Sequence, residues 1–134
     1  MHNEVKAKSS IGLLRVQDGM GRGPWRPNFS HRWTDPLRTS GPAPIYDEIM
    51  GFTDIVANLH KQGMHIGCAV RGLEGLRKWF TTSELLKLTY LGFVVVDASS
   101  ARLIAETPTQ ALIACDKPLS TLPIYSAEKG DVAS

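Results

Sequence analysis

The run from Leu76 to Phe93 constrains the fold more tightly than any other stretch of the chain. Within it, Thr81-Thr82-Ser83-Glu84 has the capping-box pattern. A hydroxyl at the helix start and a glutamate three residues on satisfy each other's backbone donors. This predicts a helix that begins here, runs through Leu85, Leu86, Leu88 and Leu91, and stops at Gly92. Leu73, Leu76, Trp79 and Phe80 mark one side of a short helix just before it, and Phe93 to Asp97 follow at once as a strand. A helix-turn-helix raises DNA reading. The second helix is apolar on too many sides for that role, and only Lys87 offers a cation from within it.

Other elements are placed around this centre. Ile11 to Gln17 reads as a first strand, with Leu14 and Val16 on one face and Leu13, Arg15 and Gln17 on the other. Tyr46 to Gln62 reads as one amphipathic helix, since Ile49, Phe52, Ile55, Val56 and Leu59 keep helical spacing and Gly63 follows as a stop. Met64 to Val70, Ala101 to Glu106 and Gln110 to Cys115 read as strands, and Leu122 to Ser126 as an edge strand. Pro36 to Pro44 reads as a loop. Helices cluster in the middle and no regular βαβ alternation appears. The expected class is therefore α+β, a small mixed or antiparallel sheet with a central helical segment. Residues 1–10 are expected to be a flexible N-terminus, 11–126 a single domain, and 127–134 a flexible tail.

The chain has 134 residues, enough for one domain with its own core. Its formal charge of +2 does not by itself imply nucleic acid, but the charge is unevenly placed. Residues 1–40 hold Lys6, Lys8, Arg15, Arg22, Arg26, Arg32 and Arg38 against Glu4, Asp18 and Asp35. A basic lobe attracts nucleotides, nucleic acid or an acidic protein surface. Cys68 and Cys115 each sit in an apolar run and read as buried free thiols, with no closely spaced Cys/His set for zinc. No signal peptide opens the chain and no apolar run approaches the roughly 18 residues that span a bilayer. The expectation is a cytoplasmic protein with no membrane partner.

Candidate chemistry concentrates in Leu13 to Pro27. Arg15 lies in the first strand, where a cation needs a partner. That partner is either structural, such as Asp97 or Glu106, or a ligand phosphate. Arg22, Arg26 and Trp25 lie in the loop that follows. They offer two guanidinium forks and a flat stacking face. The pattern Gly19-Met20-Gly21-Arg22-Gly23 has the spacing of neither the dinucleotide fingerprint nor a Walker loop. His31, beside Arg32 and Trp33, is a candidate acid/base or ribose hydrogen-bonder. His60 suits a helix C-terminus and His65 reads as structural. No paired carboxylates and no Gly-x-Ser-x-Gly turn support hydrolase chemistry.

A strand with a central arginine, a loop, a helical middle and late short strands resembles the mono-ADP-ribosyltransferase family. The resemblance implies that Arg15 helps hold a nicotinamide dinucleotide. It also implies that a late residue at the head of a strand stabilises the cationic ribose. Gln110 enters the Ala111–Cys115 strand where that family shows glutamate, and glutamine carries no negative charge. Glu106 takes the slot if the strand begins earlier. The family's Ser-Thr-Ser type strand is missing. The motifs Arg15-Val16-Gln17-Asp18, Gly21-Arg22-Gly23-Pro24-Trp25-Arg26, Leu76 to Phe80 and Gly92 to Val95 are also similar to small proteins of phages and prophages.

The resemblance gives a protein of phage or mobile-element origin that binds an NAD-like or ADP-ribose-like nucleotide. Arg15, with Gln17 beside it, faces phosphate or ribose. Arg22 and Arg26 face phosphate, Trp25 stacks on a ring, and Gln110 or Glu106 contacts the ribose. If the protein is catalytic, the reaction is ADP-ribosyl transfer to a host protein, with a defence component as the natural target. One alternative is a non-enzymatic inhibitor that occludes a host complex, in the manner of anti-CRISPR proteins. Another is a nucleic-acid binder, with Trp25 and Trp33 stacking on bases.

Overall fold

Among the described residues five short strands form one antiparallel sheet: β1 Leu13–Gln17, β2 His65–Arg71, β3 Val94–Asp97, β4 Arg102–Glu106 and β5 Ala111–Cys115. Their spatial order is β3-β1-β2-β5-β4. Among the described residues four α-helices accompany them: α1 Ile45–Glu48, α2 Phe52–Lys61, α3 Gly72–Trp79 and α4 Thr82–Tyr90. The α+β class expected from the sequence is therefore present, with every strand pairing antiparallel. The computed structural model describes residues 12–36 and 44–126. Expectations for residues 1–10, most of the Pro36–Pro44 loop and the tail from Ala127 fall outside the described residues, as do Lys6, Lys8 and Arg38.

The alternation of β1 divides the core as the sequence predicts. Leu14 and Val16 join Trp33, Val70, Leu76, Phe80, Leu88 and Phe93 in one buried cluster. Leu13 joins Ala69, Ala98, Ala111 and Ile113 in another. Burying each valine, leucine, isoleucine or phenylalanine of these clusters contributes about 1.5–3 kcal/mol. The capping box forms as read: Glu84 N–H donates to Thr81 Oγ1 at 3.1 Å, and Thr81 N–H donates to Glu84 Oε1 at 3.0 Å. Glu84 is fully buried, and its Oε2 also accepts the Asp35 amide at 2.8 Å. One carboxylate thus starts α4 and anchors the end of the aromatic N-terminal segment.

Two expectations are corrected. The helix read over Tyr46 to Gln62 is broken into α1 and α2. Ile49 adopts an extended conformation, and Gly51 has a φ of 75°, a left-handed geometry that interrupts a right-handed helix. The edge strand read over Leu122 to Ser126 reduces to a bridge between Ile124 and Val96. Pro123 has no N–H to extend a ladder. Its carbonyl accepts from Asp97 instead, and the Tyr125 amide donates to Val95.

Candidate functional site

β1 and β2 pair only at Leu13–Arg71 and Leu14–Val70. Beyond Leu14 the two strands part, and the Arg15 side chain spans the opening. Its Nε donates to Gln17 Oε1 at 2.9 Å, its Nη1 to the Cys68 carbonyl at 3.0 Å and its Nη2 to the Gly21 carbonyl at 2.9 Å. Gln17 is buried and is itself fixed by donating from Nε2 to the Leu119 carbonyl at 2.8 Å. The guanidinium rests against Gly67, where an added Cβ would lie 3.0 Å from Arg15 Cζ and 2.9 Å from Leu119 Cδ1.

The structural partner expected for Arg15 is corrected. Glu106 pairs instead with Arg71, at 2.8 Å from its Nε. The Asp97 carboxylate accepts the Ser99 amide. Among the described residues no carboxylate lies in ion-pairing range of Arg15, which holds neutral acceptors only. Burial pushes its guanidinium below the usual arginine value, against weaker attraction from charge nearby, that of Asp18 included. Arginine nonetheless stays protonated in proteins. Three of its five N–H groups are used in these bonds, all to neutral acceptors.

Arg15 faces a cavity of about 620 Å³. This lies within the size range of small-molecule sites, roughly 300–1,000 Å³. One side is the parted strands, through Leu14, Arg15, Val16 and Gly67 to Val70; another is α3 and the residue after it, through Leu76, Trp79 and Phe80. Gly23, Pro24, Trp25 and Pro27 contribute from the loop after β1, Pro44, Ile45 and Tyr46 from the start of α1, and Gln110 from the turn before β5. None of these lining residues is acidic. Two of the aromatic side chains are held in place by contacts outside the cavity. Trp25 meets Trp33 edge-on with ring centres 4.6 Å apart, and Trp79 Nε1–H donates to the Thr109 carbonyl at 2.8 Å. Such faces suit a planar ring.

Three of the sequence-derived candidates, Arg15, Trp25 and Gln110, thus line one cavity despite their separation along the chain. Gln17 supports it from behind Arg15. Arg22, Arg26, His31 and Glu106 do not line it. The loop shows why. Asp18 Oδ1 accepts the amides of Met20 and Arg22, both at 2.9 Å, and Oδ2 accepts Arg22 Nε at 3.0 Å. Gly21, with a φ of 83°, closes this turn and aims its carbonyl at Arg15. The glycine-rich stretch therefore supplies an acceptor to a protein cation rather than a nest of N–H groups to a phosphate. Arg26 lies 4.3 Å from the Phe29 ring centre and Arg32 5.5 Å from it. Base stacking by Trp33 is corrected outright. The ring is fully buried and its Nε1–H donates to the Pro24 carbonyl at 3.1 Å.

Sequence reasoning missed several groups. Tyr46 was legible only as the start of a helix, Trp79 and Phe80 only as apolar helix positions, and Cys68 only as a buried thiol. Burial raises the Cys68 thiol above its ordinary value, with Arg15 opposing, so it remains protonated at neutral pH. Glu48 gave no signal at all. Its carboxylate accepts from Gln110 Nε2 and from the hydroxyls of Thr107 and Thr109, both at 3.1 Å. These bonds, led by that from Gln110, hold it below the usual glutamate range. Chemically, the arrangement provides one buried cation, an amide and aromatic walls, and among the described residues no nucleophile and base are in contact there.

No protein-family model matches the chain, and no match appears among curated proteins or solved structures. Among the described residues no helix is long and apolar enough to cross a membrane.

Proposed function

We propose that the cavity binds a small nucleotide of the NAD or ADP-ribose type. A phosphate oxygen takes the remaining Arg15 donors, and a planar ring lies among Trp25, Tyr46 and Trp79. The carrying observation is that Arg15, without a carboxylate partner among the described residues, lines the same aromatic cavity as Trp25 and Gln110. A buried cation among neutral acceptors favours an anionic guest, because the guest's charge offsets the desolvation that the protein leaves uncompensated. Gln110 brings no negative charge to a developing cationic ribose, so the reading is binding rather than ADP-ribosyl transfer. Calorimetric titration with NAD and with ADP-ribose tests it. One-site saturation that weakens in Arg15→Lys, which keeps the charge but loses the fork, supports the reading. Absence of heat with both ligands overturns it.

A second reading rests on a different surface. The loop residues Arg22 and Arg26 gather on Asp18, and Arg26 and Arg32 on Phe29, outside the cavity. As a basic patch it fits a non-enzymatic protein that occludes an acidic host surface. Such a complex would weaken with salt and survive loss of Arg15.

A further inference from the structure

Two walls of the cavity are tied to one turn. The turn Thr107-Pro108-Thr109-Gln110 joins β4 to β5 and is closed by the Thr107 amide donating to the Gln110 carbonyl at 2.8 Å. From one side Trp79, on the two-turn helix α3, donates to the Thr109 carbonyl at 2.8 Å. From the other, Glu48 at the end of α1 accepts from Thr107, Thr109 and Gln110. The two tethers differ in kind. Trp79 sits on an eight-residue helix that packs on β1 and β2. α1 has four residues, packs on the sheet far less than α3 does, and meets α2 through the rings of Tyr46 and Phe52, 6.3 Å between centres. Behind it lie Met50, 96% exposed, and Gly51 in a left-handed conformation.

We infer that Pro44 to Glu48 is a movable wall of the cavity, hinged at Met50-Gly51, and that the Glu48 carboxylate is the latch that holds it shut against the β4–β5 turn. Pro44, Ile45 and Tyr46 line the cavity from this wall, so releasing Glu48 opens the side on which Tyr46 stands. The buried Ile49 lies between latch and hinge and moves with the wall. Glu48 is a positioning residue: it lines no part of the cavity and acts through the segment that does. The inference builds on the cavity named as the ligand site above, but access to it is measured without any ligand.

Cys68 provides the readout, because it lines the cavity while Cys115 does not. In a Cys115→Ser background, alkylation of Cys68 by N-ethylmaleimide reports opening of the wall. Glu48→Ala should raise that rate about five- to tenfold, and Thr109→Val, which removes one hydroxyl from the latch, by a smaller factor. The melting midpoint should stay within about 4 °C of the parent. In a Cys68→Ser background the Cys115 rate should not respond to Glu48→Ala. An unchanged Cys68 rate in Glu48→Ala overturns the inference. So does an equal rise at Cys115, which would report general loosening, or free-thiol reactivity of Cys68 in the parent.

Discussion

The guanidinium of Arg15 donates to the Cys68 carbonyl at 3.0 Å, beside the place where β1 and β2 stop pairing. A side chain thereby supplies a hydrogen bond between two strands whose backbones have separated. It both stitches the sheet and gives the cavity its cation.

Removing that stitch leaves the Gln17 amide oxygen and the carbonyls of Cys68 and Gly21 without this donor. Each unsatisfied buried group costs about 1–3 kcal/mol, and water reaching the opened space recovers part of that. Arg15→Ala is expected to lower stability by about 2–4 kcal/mol in urea denaturation, with an unchanged slope. A loss below about 0.5 kcal/mol, the range of ordinary surface substitutions, would show that the three bonds are not structural.

Gly67 tests the same relationship from the other side. A methyl there meets Arg15 Cζ at 3.0 Å and Leu119 Cδ1 at 2.9 Å, so Leu119 must shift and Arg15 must give way as well. Gly67→Ala should cost about 1–3 kcal/mol, typical of overpacking, and weaken nucleotide binding along with it. Thermal denaturation and calorimetry on the same sample check both parts.

The buried Glu84 carboxylate holds both the Thr81 and Asp35 amides. Thr81→Ala removes one cap bond and should cost about 1 kcal/mol. Glu84→Ala strands two amides and opens space in the interior, so its loss should be larger, about 2–4 kcal/mol. Equal losses in urea denaturation would contradict this ordering.

Acid should act on the Asp18 turn. Burial pushes the Asp18 carboxyl up, but the amides of Arg22 and Met20 and the Arg22 guanidinium outweigh it, and the group lies below its ordinary value. A depressed carboxyl contributes stability that is present above its unfolded value, about 3.9, and lost as pH falls through the lower folded value. Asp18→Asn should therefore be less stable than the parent at neutral pH, with the gap closing below about pH 4. Denaturation midpoints across pH 2–7 check it, and a gap independent of pH would contradict it.

What the sequence made legible was local. The capping box, β1 with its two faces, and the stops at Gly63 and Gly92 each depend on residues a few positions apart. The reading failed where apolar spacing carried on through a break, as at Ile49 to Gly51. It failed again where proline removed a donor, as at Pro123. The cavity was legible in part: Arg15 and Trp25 stood out as a cation and an aromatic near glycines. The Arg15 partners stayed hidden because two of them are backbone carbonyls, which no residue type announces. Glu48 stayed hidden because the Gln110 it meets lies 62 positions away.

The most direct measurement of the central claim is amide and indole chemical-shift mapping during titration with ADP-ribose. The expected result is saturable shifts at Gly23, Gly67, Cys68 and Gln110 and at the indole N–H signals of Trp25 and Trp79, with Trp33 and α4 little moved. Shifts confined to the arginines around Phe29, or none at millimolar ligand, would contradict nucleotide binding in the cavity.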